Sequence, residues 1–236
     1  MNTVPRGWTD FGARRIAILS LVTITLLIQS ASYALAHNVT PGDAGYIQEI
    51  WGVNIIPFMY LGAKHMVTGY DHILFLFGVV FFLYKMKDVG IYVSIFAFGH
   101  STTMLAGINA YIVDAIIGLS VVYKALDNLG AYQRWFGVQP NTKIATLIFG
   151  FFHGTGLATK LLDYEIAPDG LLANLLAFNV GVELGQLMAL AVILIVMGFW
   201  RKSPNFFRQA YTANVIMMAM GFILMGLQIT GYFVAA

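Results

Sequence analysis

The chain has 236 residues, 59% hydrophobic and 10% charged, with a mean hydropathy of +0.76 and a formal net charge of +2. A soluble domain carries about 25% charged residues, so this composition excludes an ordinary cytosolic enzyme, a disordered chain and a nucleic-acid binder working through a basic face. It predicts an all-α polytopic transmembrane bundle, and the absence of cysteine leaves imidazole, carboxylate, amide, thioether and backbone as the only metal donors.

The first element reads as a signal peptide. Arg6, Arg14 and Arg15 form a basic leader, Ile16 to Ile28 is apolar, and Ala34-Leu35-Ala36 is a small-x-small cleavage site. Cleavage would make His37 the first residue of the mature chain, with an α-amine and an imidazole outside the membrane. The alternative is an uncleaved first helix over residues 16–36, long enough to span. Residues 1–36 are thus a signal peptide or first transmembrane helix, and residues 37–236 a single transmembrane domain.

Six apolar segments follow, at 55–84, 89–109, 111–126, 142–162, 171–199 and 211–235. A span needs about 20 residues. The third segment is short unless it extends past Lys124, and the first and fifth are long enough to be kinked, with Gly62 and Gly69 as break points in the first. Alternating the segments puts eleven of the thirteen basic residues on one side, including Lys85, Lys87, Arg134, Lys143, Arg201 and Lys202. Asp43, Glu49, Asp163, Glu165 and Asp169 mark the other. By the positive-inside rule the basic side is cytoplasmic, and the C-terminus lies outside.

Ionisable groups inside spans are costly and face a bundle interior or a cavity. The first segment carries Lys64, His65, Asp71 and His72, the second His100 and Thr102, the third Asp114, the fourth His153, and the fifth Asn179, Glu183 and Gln186. Asn179, Glu183 and Gln186 fall on one helical stripe. His65 and His72 lie about 10 Å apart on a straight helix. They either serve two sites or are brought together by a break at Gly69. Asp71 and His72 diverge by about 100°. Imidazole plus carboxylate suits nickel, cobalt, zinc, copper or iron(II). A proton relay and a bis-histidine haem are the other readings of the same residues. Gly150 with Gly154, and Gly181 with Gly185, would allow close helix approach and draw spans four and five together. The methionines at 217, 218, 220 and 225 read as packing, Asn38-Val39-Thr40 is a weak sequon, and His100-Ser101 lacks the context of a peptidase nucleophile. No phosphate-binding glycine loop is present.

The run GAKHMVTGYDHILFLFG, containing His65-x5-Asp71-His72, resembles the HupE/UreJ family of nickel and cobalt permeases. AFGHSTTM around His100, FGFFHGTGLA around His153 and LAFNVGVELGQL around Glu183 follow in the family's order. The run from Phe152 to Lys160 is closer to the less characterised branch than to the hydrogenase-linked permeases, with Lys160 where their pattern has Glu. The resemblance implies a multi-pass protein of a bacterial inner membrane, and carries His65, Asp71, His72 and His153 over as a metal path. His100 and Glu183 join them from their own chemistry. Thr102, Asp114, Asn179 and Gln186 are expected around the path, orienting imidazoles. The function expected is an ATP-independent permease for a divalent transition metal, not an enzyme, with the ion and the lipid bilayer as partners and no nucleic acid. The alternative is a non-transporting, metal-holding subunit of a membrane oxidoreductase complex.

Overall fold

The computed structural model describes residues 51–102, 109–162 and 169–235, with the side chains of 101–102, 156–162 and 235 also left out. The signal peptide or first helix, His37, and the side chains of Thr102 and Lys160 therefore lie outside the described residues. Every regular element among those described is a helix: α1 (Ile55–Thr68), α2 (Tyr70–Val80), α3 (Met86–Thr102), α4 (Ala110–Asn128), α5 (Ala131–Phe136), α6 (Thr142–Leu162), α7 (Leu171–Trp200) and α8 (Phe206–Ala235). Two of them, over 171–200 and 206–234, are long and apolar enough to cross a membrane. Large apolar side chains such as Val180, Leu187, Val192 and Ile195 face outward, a surface suited to lipid rather than water.

The first apolar segment is two helices. Gly69 takes an extended conformation, φ −73 and ψ 103, its N–H closing the last turn of α1 on His65 while its carbonyl accepts from Ile73 to start α2. Glycine is a poor helix former, and the chain turns here rather than at Gly62. The fifth segment stays unbroken as α7. The third runs the full length of α4, past Lys124, whose ammonium pairs with Asp127 at 2.5 Å and so needs no escape to the surface.

Small residues choose the helix partners. A β-carbon on Gly181 would overlap the Met59 carbonyl, and one on Gly62 the Phe178 carbonyl, so α1 and α7 lie backbone to backbone and parallel. A β-carbon on Gly154 would overlap the His100 carbonyl, and Gly150 sits against Phe96, which pairs α3 with α6, also parallel. Gly118 and Gly221 pair α4 with α8 antiparallel. This differs from the expectation that these glycines join spans four and five. Each close approach consumes the small-residue face of both helices, so α6 spends its face on α3 and α7 on α1.

The short α2 connects these pairs, and its C-terminal carbonyls are tied at one end of the bundle. Asn128 donates to the Gly78 carbonyl and to Asn214 Oδ1, each at 2.9 Å. Arg201 donates to the carbonyls of Val80 and Phe81 and lies over the Tyr84 ring. These bonds satisfy groups that a helix C-terminus leaves open. Through these ties, Lys85 and Lys87 before and within α3, Lys143 of α6 and Arg201 after α7 gather at the same end. At the opposite end, Asn174 of α7 accepts from the Asn54 N–H at 2.7 Å and donates to the Gly52 carbonyl at 2.9 Å.

Candidate metal centre

Four helices bring four imidazoles together. The His72 ring lies 5.1 Å from that of His65, 5.6 Å from His100 and 5.0 Å from His153, centroid to centroid. His72, His100 and His153 are 2%, 2% and 1% exposed. One ring nitrogen each from His65, His72 and His100 falls within 4.8 Å of the others. Two nitrogens bound at about 2.0–2.1 Å to one ion lie at most about 4 Å apart, so small ring rotations would close this triad on a cation. His153 adjoins it through His72.

Gly69 is what makes the meeting possible, since the break folds His65 back over the first turn of α2. The same break explains Asp71. As a residue of the first turn of α2, it faces backbone N–H groups that have no helical acceptor. Its Oδ1 accepts from the His72 N–H and from His72 Nδ1, both at 2.9 Å. The 100° divergence expected for neighbouring helical residues is overcome because the carboxylate bends back toward the helix start. With Nδ1 donating to a carboxylate, the neutral ring of His72 carries its lone pair on Nε2. His153 Nδ1 likewise donates to the Phe149 carbonyl at 2.7 Å, which sets its tautomer the same way. Both nitrogens of His100 are buried without a hydrogen-bond partner among the described residues. A buried imidazole in that state costs free energy unless something else comes to it.

The walls are aromatic. Phe75 and Phe96 lie 5.2 Å apart, and both rings touch His153, at 5.3 and 5.0 Å. Phe96 also lies 6.0 Å from His100, Phe149 lies 5.9 Å from Phe75, and Phe178 flanks His65 at 6.1 Å. A bundle core full of phenylalanine gives no sequence pattern that singles these out.

A family model described as HupE / UreJ protein matches residues 41–236. The chain belongs to the HupE/UreJ family. No curated protein and no solved structure matches it. The HupE/UreJ family is membrane-associated and linked with nickel and cobalt transport or accessory roles. In this HupE/UreJ chain the four histidines meet, with Asp71 hydrogen-bonded to the central one.

The other expected residues of this HupE/UreJ chain are placed differently. Glu183 is exposed on α7, outside the imidazole group. The reason is helical phase: Gly181 and Gly185 turn toward α1, and residue 183, between them, lies about 200° from either. Asn179 is half-buried on the same helix, and Asp114 is buried on α4. Gln186 is buried, but it bonds to the Val93 carbonyl and orients no imidazole.

Asp71→Asn tests the orienting bond. An asparagine can present its NH₂ to Nδ1 and push the proton to Nε2, the wrong nitrogen for a ligand. Metal affinity of the purified protein, measured by equilibrium dialysis, is expected to fall about 10–100-fold, the usual range for loss of such a partner.

Proposed function

We propose that this protein is a multi-pass permease of a bacterial inner membrane that carries a divalent transition-metal cation, nickel or cobalt, across the bilayer without ATP. The observation that carries the reading is the group of four imidazoles drawn from α1, α2, α3 and α6, three of them buried. An isolated buried histidine is explained as a packed core residue; four in contact, one held by a carboxylate, match the donor set of a nickel-class ion. The ion is cargo, so it must be held by donors that also let it go, and a thiol-free site meets that requirement.

Six spans, with the basic end facing the cytoplasm and the C-terminus outside, support entry at the acidic end. The membrane potential would then drive a dication inward by about 4.6 kcal/mol per 100 mV. His65, on the first helix and the least buried of the four, would meet the ion first and pass it to His72, His100 and His153. The chain would work as a carrier and not as an enzyme, with the ion and the surrounding lipid as its partners.

Uptake of radioactive nickel and cobalt into proteoliposomes containing only this protein tests the reading. Uptake above that of empty vesicles, with metal bound to the purified protein, is the expected result. Bound metal without uptake, together with co-purification of catalytic subunits from native membranes, would replace the permease with a metal-holding subunit of an oxidoreductase complex.

A further inference from the structure

Glu183 stands on the outward side of α7, among Leu176, Val180, Leu184 and Leu187, all of them exposed. The helix has 30 residues. At 1.5 Å per residue it is about 45 Å long, and residue 183 lies about 4 Å from its midpoint. The carboxylate therefore points into the hydrocarbon of the bilayer, near its middle. No hydrogen bond or ion pair reaches it from the described residues. An ionisable group in a spanning helix is costly and ordinarily faces a bundle interior or a water-filled cavity. Here the interior is taken by Val182, Gly185 and Gln186, which are buried, and what meets Glu183 must come from outside the chain. Asn179, one turn toward the acidic end, lies half-buried on the same stripe.

Lipid tails offer neither a donor nor a charge. A second copy of this chain offers both, and its match is built in. Copies inserted with one topology carry Asn179 and Glu183 at the same depth. Two α7 helices lying parallel about a two-fold axis along the membrane normal bring each stripe onto its equal. The Asn179 amide of each copy can then donate to the Glu183 carboxylate of the other, and the two carboxyls, like charges held close, share a proton. Polar side chains join helices in this way inside membranes, where apolar surface alone gives no drive to associate. Leu184 and Leu187 continue the face into an apolar groove between α7 and α1, lined also by Met59, Tyr60 and Ala63, which can seat the side chains of a neighbour.

We propose that the Asn179–Glu183 stripe of α7 is the contact of a homodimer within the membrane, each stripe seated on that of a second copy. The proposal rests on the reading of α7 as a spanning helix and does not need an ion to be carried.

The chain has no cysteine, so a single introduced one reports contacts. Leu187→Cys, one turn from Glu183 on the same side, is oxidised in native membranes. It is expected to give a disulfide-linked dimer about tenfold more abundant than does Ile216→Cys, whose position is exposed on α8. Adding Glu183→Leu lowers that dimer about tenfold, the scale of a polar contact between membrane helices. Adding Glu183→Gln, which keeps a hydrogen-bonding amide, retains it. Glu183→Leu alone keeps wild-type nickel binding and helix content, since the residue lies outside the imidazole group. Equal cross-linking of Leu187→Cys and Ile216→Cys overturns the proposal, as does a dimer undiminished by Glu183→Leu or a Leu187→Cys cross-link to a different protein. Release of the wild type from membranes by alkaline carbonate overturns the spanning of the bilayer instead, whereas retention without a Leu187→Cys dimer removes the pair alone.

Discussion

His72→Ala is expected to abolish nickel binding at the centre, with an affinity loss beyond the ~100-fold ceiling typical of an orienting partner, and to reduce uptake to that of empty vesicles. His72 is the one ring in contact with the other three, and its Nδ1 is the atom Asp71 holds. Removing it deletes a ligand, leaves the Asp71 carboxylate buried without its imidazole, and opens a void beneath His65 and His100. The substitution also separates site from scaffold. The backbone N–H of residue 72 still donates to Asp71, so α2 keeps its start, and circular dichroism should report unchanged helix content. Metal analysis of the purified variant gives the answer directly. A variant that retains wild-type nickel would show that the imidazole group is a packed core and no metal site.

Gly154→Ala is expected to weaken the fold and the site together. Its β-carbon would overlap the carbonyl of His100 and press on that residue's Cα. Backbone cannot rotate away as a side-chain tip can, so α3 and α6 must move apart. Overpacking of this kind costs about 1–3 kcal/mol. The residues displaced are those next to His153 and at His100 itself, so metal affinity should fall more than a generic loss of stability explains. Gly90→Ala is the control: a β-carbon there meets nothing within 4 Å, and alanine favours the helix by about 1 kcal/mol. Thermal unfolding in detergent, with and without nickel, distinguishes the two. If Gly154→Ala melts with wild type and binds nickel normally, the backbone contact between α3 and α6 is not what places the imidazoles.

What the sequence revealed and what it hid follow from the solvent. In an apolar chain every ionisable group stands out, so His65, Asp71, His72, His100 and His153 could be picked out before any contact was known. Gly69 could be named as a break because only a break reconciles two histidines seven apart with one site. Helix phase relative to a partner was not legible. Whether Glu183 turned inward depended on which face of α7 its glycines gave to α1, and α7 is apolar on nearly every side, so its pattern marks no inner face. The bond from Asp71 to His72 was hidden for a related reason: helical divergence assumes a continuous helix, and Asp71 sits in the first turn of a new one. The tie from Arg201 to the end of α2 spans 121 residues of sequence, beyond the reach of any local pattern.

The seam between α1 and α7 has a consequence for biogenesis. Met59 and Gly181 touch backbone to backbone, yet more than a hundred residues separate them in synthesis order. During insertion α1 must wait, its small-residue face covered by lipid or by another protein, until α7 emerges. All four histidines are therefore made before the wall behind His65 exists. A nascent chain halted before residue 171 would hold every imidazole of the group and still lack the helix that positions the first. Any loading with metal would wait for α7, which supplies the wall behind His65.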